Sequence, residues 1–102
     1  MIRHIVLVKF RAGLAQADID AVFVQLDALR AIVPGMLNFH AGANVSPEGL
    51  NRGFGHAFIA DFADAVARDA YLEHPQHKAA GARLVSAAAN GRDGILVLDL
   101  AC

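Results

Sequence analysis

The sequence predicts an α+β fold of the ferredoxin-like type, with element order β-α-β-β-α-β and one four-stranded antiparallel sheet. Three observations carry this. Apolar residues switch between a two-residue and a three-to-four-residue period in that order along the chain. A run of turn formers, Ser46-Pro47-Glu48-Gly49-Leu50-Asn51-Arg52-Gly53, joins the two middle strands into a hairpin. The first and last apolar segments are apolar on both faces, as strands covered from both sides are.

Ile2 to Phe10 is rich in β-branched residues and ends at Ala12-Gly13, which reads as a strand with His4, Val6, Val8 and Phe10 on one face and Ile5, Leu7 and Lys9 on the other. From Asp18 to about Val33, Ile19, Val22, Phe23, Leu26, Leu29 and Val33 recur at helical spacing, and Pro34-Gly35 stops the helix. Met36 to Val45 alternates, with Leu37, Phe39, Ala41 and Ala43 opposite Asn38, His40 and Asn44. Gly55 to Phe62 is the third strand. Asp64 then caps a helix running to His74, Pro75 interrupts it, and a further helix takes Lys78 to Ala89 before Asn90-Gly91. Gly94 to Leu100 is the last strand.

With right-handed crossovers and a hairpin between the middle strands, the strand order becomes 4-1-3-2 and both helices share one sheet face. The other face, apolar at several positions, has no cover within one chain. A second copy packed sheet to sheet would supply it, so a homodimer is expected.

Composition limits the function. The 102 residues are expected to form one domain, residues 1–102, and 56% of them are hydrophobic, with a mean hydropathy of +0.41. A net charge of −1, with both signs dispersed, offers no basic stripe for nucleic acid and no polybasic membrane patch. No apolar run approaches the roughly 20 residues a membrane span needs, and a cytoplasmic location is expected. Cys102 is the only cysteine and forms no intrachain disulfide. No metal is expected: His74 and His77 are three apart, but Pro75 breaks the register that would aim both at one ion. Asn51-Arg52-Gly53-Phe54-Gly55 precedes a strand instead of opening a helix, so its glycines are turn residues, not a phosphate loop.

Two of five histidines and the only tyrosine fall within Ala70-Tyr71-Leu72-Glu73-His74-Pro75-Gln76-His77-Lys78. In the predicted topology the last strand runs antiparallel to the first, so Asp99 lies beside His4. The Tyr71–His77 bend folds over the same end of the sheet. His4, Tyr71, His77 and Asp99 are therefore expected to converge. An imidazole titrates near neutral pH and suits acid–base work; a carboxylate fixes its tautomer, and a tyrosine hydroxyl can hold an enolate oxygen. His74 reads as a helix-capping residue and His40 as solvated.

Met1 to Phe10, Ile32-Val33-Pro34-Gly35, Asn51 to Ala57, Ala70 to His77 and Val97-Leu98-Asp99 together resemble the stress-responsive A/B barrel (Dabb) domain family over nearly the whole chain. The resemblance implies a dimeric α+β barrel. One plant member, olivetolic acid cyclase, performs a cofactor-free aldol cyclisation of a linear polyketide, with a histidine and a tyrosine that match His77 and Tyr71. It implies a pocket between helices and sheet lined by His4, Val6, Val8, His56, Phe58 and Ala60, with Phe23 on the helical wall. The expectation is a small cofactor-independent cyclase or isomerase acting on a small hydrophobic carbonyl compound. In it His77, oriented by Asp99, removes a proton next to the carbonyl, Tyr71 holds the enolate oxygen, and His4 and His56 position the substrate. The alternative is a non-catalytic dimeric stress-response or small-ligand-binding barrel.

Overall fold

The computed structural model describes every residue from Met1 to Cys102. Four strands, β1 (Ile2–Val8), β2 (Met36–Ala43), β3 (His56–Phe62) and β4 (Ile95–Ala101), form one antiparallel sheet in the order β2-β3-β1-β4. Helices α1 (Gln16–Asp27), α2 (Ala65–Glu73) and α3 (Pro75–Ala87) supply its cover. The core lies between helices and sheet, where Val6, Val8, Phe58, Ala60 and Phe62 meet Val22, Leu26, Tyr71, Ala80 and Leu84. No helix is long and apolar enough to cross a membrane.

Beyond shifts of one or two residues at other element ends, four differences from the sequence reading have a physical cause. β1 ends at Val8 because the Lys9 backbone turns to the segment before β4: its N–H donates to Gly94 O at 2.8 Å and its carbonyl accepts from Ala89 N–H at 2.7 Å. α1 begins at Gln16, two residues before Asp18, and passes at Ala28–Ala31 into a tighter 3₁₀ turn that still buries Leu29. In β2 a register shift between Met36 and Asn38 puts Met36 opposite Phe62 and Phe39 opposite Ala60, so Met36 is buried and Leu37 is half exposed. Unbroken alternation had assigned Leu37 to the face of Phe39; one extra residue reversed it.

The fourth difference bears on the site. Pro75 does not sit in an open bend. It is the first residue of α3, where its missing N–H and preset φ suit a helix start. His74 ends α2 and caps α3 at once, extended at φ −66°, ψ 133°, its ring Nδ1 accepting the Gln76 N–H at 3.0 Å. The chain thus turns sharply at one residue, leaving Tyr71 and His77 on facing ends of two helices. Asp64 caps α2 as expected, accepting the Ala67 N–H at 2.9 Å.

No helix covers the opposite sheet face. There Ile5, Leu7 and Ile59 are half-buried, while Leu96, Leu98 and Leu100 of the edge strand β4 are 44%, 52% and 45% exposed. The same face carries a buried acid: Asp61 accepts from Arg3 Nε at 2.9 Å and from a second Arg3 nitrogen at 3.1 Å. The guanidinium laid against it holds the Asp61 carboxyl below the ordinary carboxylate range.

Candidate functional site

Antiparallel pairing sets His4 of β1 directly opposite Asp99 of β4, on the helix-facing side. His4 Nδ1 and Asp99 Oδ1 are 2.6 Å apart. An ionised carboxylate only accepts, so Nδ1 is the donor in this bond. The second oxygen, Oδ2, accepts from Arg68 of α2 at 2.9 Å. Burial would raise the Asp99 carboxyl, but the bonds from His4 and Arg68 outweigh it and hold the group below its usual range.

Tyr71 packs beside this dyad. Its ring centroid lies 5.9 Å from that of His4, 4.9 Å from Phe62 and 4.2 Å from His77. Tyr71 is wholly buried, and its hydroxyl has no hydrogen-bond partner in the protein. Burial pushes its pKa well above the usual phenol value, so the hydroxyl stays protonated as a donor. His77 is half-buried, and its Nδ1 donates to the Leu72 carbonyl at 3.2 Å. Burial lowers the His77 pKa, and the Leu72 bond opposes it only in part; His4 and His74 lower it further. Its neutral form therefore presents a free Nε2 at pH 7.

His4, His77 and Asp99 line a cavity of about 480 Å³ with Val6, Phe58 and Val97, within the size range of small-molecule sites. α3 supplies Gly81, Leu84 and Val85, and Arg92 stands at the rim. Several predicted site residues are elsewhere. Tyr71, wholly buried, touches His77 but does not line the cavity. Val8 and Ala60 face the helices but are sealed under the core at 0% exposure. Phe23 packs against Phe10, Phe58 and His56 rather than the cavity. His56 pairs with Val8, four residues along β3 from the Ala60 that pairs with His4, and its ring meets Phe10 at 5.1 Å. That is too far down the sheet to join His4. Nor does Asp99 orient His77: its two oxygens are taken by His4 and Arg68, and His77 bonds to Leu72 instead.

Sequence reasoning passed over Arg68, Arg92, Leu84 and Val97. Arg68 had one usable signal, its place one helical turn before Tyr71, but its reach to Asp99 depends on how α2 docks beside β4. Nowhere do three His, Cys, Asp or Glu side chains come together as a metal site.

The family model of the stress responsive A/B barrel domain matches residues 2–102. The stress-response A/B barrel domain-containing protein HS1 of Arabidopsis thaliana is 30% identical over 76 residues, 74% of this chain and 70% of that protein. A dimeric ferredoxin-like protein from Jannaschia sp. CCS1 superposes with a TM-score of 0.92 at 36% identity, over 99% of this chain and 98% of the other. The hydroxynitrile lyase of Passiflora edulis superposes with a TM-score of 0.82 at 25% identity, over 97% and 90% of the two chains.

Proposed function

The chain belongs to the stress-responsive A/B barrel domain family, and from that premise we propose that it is a cofactor-independent acid–base catalyst of the cyclase or isomerase kind, acting next to a carbonyl. The observation that carries the reading is the apposition of Tyr71 and His77, ring centroids 4.2 Å apart, with His77 on the cavity wall. His77 Nε2 takes a proton from the carbon beside the substrate carbonyl; the C–H pair becomes the C=C bond of the enolate and the carbonyl π pair moves to oxygen. The Tyr71 hydroxyl, sealed against His77 in the unliganded chain, donates to that oxygen once the ligand parts the two rings. In a cyclisation the enolate carbon then attacks a second carbonyl, and the imidazolium returns its proton to the new alkoxide. In an isomerisation the proton returns at another carbon. The Asp99 carboxylate, itself held by Arg68, fixes the His4 ring on the cavity wall, where it holds the substrate. The likeness to a hydroxynitrile lyase supports an enzymatic use of the scaffold.

The functional unit in this proposal is a homodimer, two sheets packed over Ile5, Leu7, Ile59, Leu96, Leu98 and Leu100. Fold relatives described as dimeric support it. Leu98→Asp would put a charge in the middle of that face. Sedimentation should then change from a dimer to a monomer, and a wild-type chain that sediments as a monomer at micromolar concentration rules the dimer out.

The catalytic test is solvent-deuterium exchange at the acidic carbon of simple β-diketones, followed by proton NMR. Wild-type protein should accelerate exchange, His77→Ala should lose about 100-fold or more of that acceleration, and Tyr71→Phe a comparable part. Exchange that is unchanged in both variants defeats the assignment. The complete burial of Tyr71 favours a second reading, a non-catalytic small-ligand barrel. Diketones that bind without any accelerated exchange would establish that one instead.

A further inference from the structure

Most charged groups around the cavity are already satisfied. Asp99, its only acidic lining residue, is held between His4 and Arg68. Arg3, Arg30 and Arg68 each pair with a carboxylate. Arg92 pairs with none. An unpaired arginine on a surface is ordinary, and Arg11 and Arg52 are others. What sets Arg92 apart is its position.

Arg92 stands in the short 3₁₀ turn Gly91–Gly94 that leads into β4. It lines the 480 Å³ cavity and also an adjoining recess of about 540 Å³ that shares Leu72, His77, Gly81 and Val85 with it and adds Lys78. Lys78 is paired with Glu73 at 3.6 Å, so Arg92 is the unpaired cation on this side of the rim, while the interior is Val6, Leu26, Phe58, Leu84 and Val97. A neutral apolar ligand would use the interior and leave the guanidinium idle. A ligand with an apolar body and one carboxylate would use both, since a guanidinium fork matches a carboxylate in geometry and charge.

We propose that the cavity takes an amphipathic carboxylic acid, its apolar part among Val6, Phe58 and Leu84 and its carboxylate on Arg92. The proposal rests on the cavity being the ligand site, and it narrows the substrate class to carbonyl compounds that also carry an acid. Arg92 is then a specificity residue. It holds the charged end at the rim beside His77, so that the uncharged, reacting part lies inward, where proton transfer is sheltered from water.

The test compares octanoate with octan-1-ol, titrated into wild-type, Arg92→Gln, Arg92→Lys and, as a control, Arg11→Gln protein and followed by amide NMR shifts. Octanoate should bind wild-type protein about tenfold more tightly than octanol, a modest ratio because Arg92 is exposed. Arg92→Gln should remove that advantage without altering octanol binding, Arg92→Lys should keep most of it, and Arg11→Gln all of it. One molar salt should reduce the octanoate advantage alone. Octanoate no tighter than octanol, or an Arg92→Gln that weakens both equally, overturns the inference while leaving the cavity a ligand site. If neither probe binds wild-type protein, the cavity reading falls and this inference with it.

Discussion

One carboxylate, Asp99, ties β4 to β1 through His4 and to α2 through Arg68. Its two oxygens are both engaged, which holds the His4 ring by its Nδ1 and the Arg68 guanidinium in place. Beside it, Tyr71 combines complete burial with a hydroxyl that no protein group satisfies, and an unsatisfied buried polar group costs about 1–3 kcal/mol. A residue kept for packing alone would be better as phenylalanine. Tyr71→Phe is therefore expected to be neutral or to stabilise the fold by about 1 kcal/mol, with a higher thermal midpoint, while it lowers the deuterium exchange rate. A midpoint several degrees lower would mean that the hydroxyl has a structural partner and that the functional role assigned to it is unnecessary.

At the scale of elements, the junction of α2 and α3 shows how a single residue creates the site. His74 accepts the Gln76 N–H and Pro75 starts the new helix, so α3 departs at once and brings His77 back against Tyr71. His74→Ala should lower stability by about 1 kcal/mol through loss of the cap, measurable by urea unfolding; an unchanged midpoint would show that the ring contributes nothing there. A second close approach governs how α2 lies on the sheet. Gly35 has φ +85°, and a Cβ built there would come within 2.6 Å of the Ala67 Cβ. Gly35→Ala meets both the left-handed penalty and that clash, and should cost about 2 kcal/mol or more; a loss below about 0.5 kcal/mol would mean that α2 shifts freely.

For the whole molecule, acid should act in two stages. The His77 pKa is lowered on folding, mainly by burial, so below the unfolded histidine value of about 6.5 the unfolded chain binds a proton more readily than the native one. Stability then declines as pH falls from about 6.5 through the folded value. Asp61, bonded to Arg3, and Asp99, whose bonds to His4 and Arg68 outweigh burial, are also lowered. Their contribution is complete above about pH 4 and is lost as pH falls through their folded values. Thermal midpoints from pH 8 to 3 should show both declines, and His77→Gln should remove the first. A midpoint that stays level between pH 7 and 5 in wild-type protein would show that the His77 pKa is not lowered.

Periodicity and turn chemistry were enough for the strands, the helices, the hairpin at Ser46–Gly53 and the strand order, because these depend on local spacing and on a few handedness rules. The pairing of His4 with Asp99 was legible for the same reason, since antiparallel register follows from strand order. The bulge that turns Leu37 outward and Met36 inward was not legible, because one inserted residue leaves no mark in an apolar run. Nor was the role of Pro75, which stops one helix and starts the next with equal ease. The cavity itself belongs to tertiary structure: its walls come from β1, β3, β4 and all three helices, and only their packing shows that His56 lies apart from His4, that Arg68 rather than His77 takes the second oxygen of Asp99, and that Arg92 stands free at the rim. A sequence determines what each segment can bury; which side chains meet depends on how those buried faces dock.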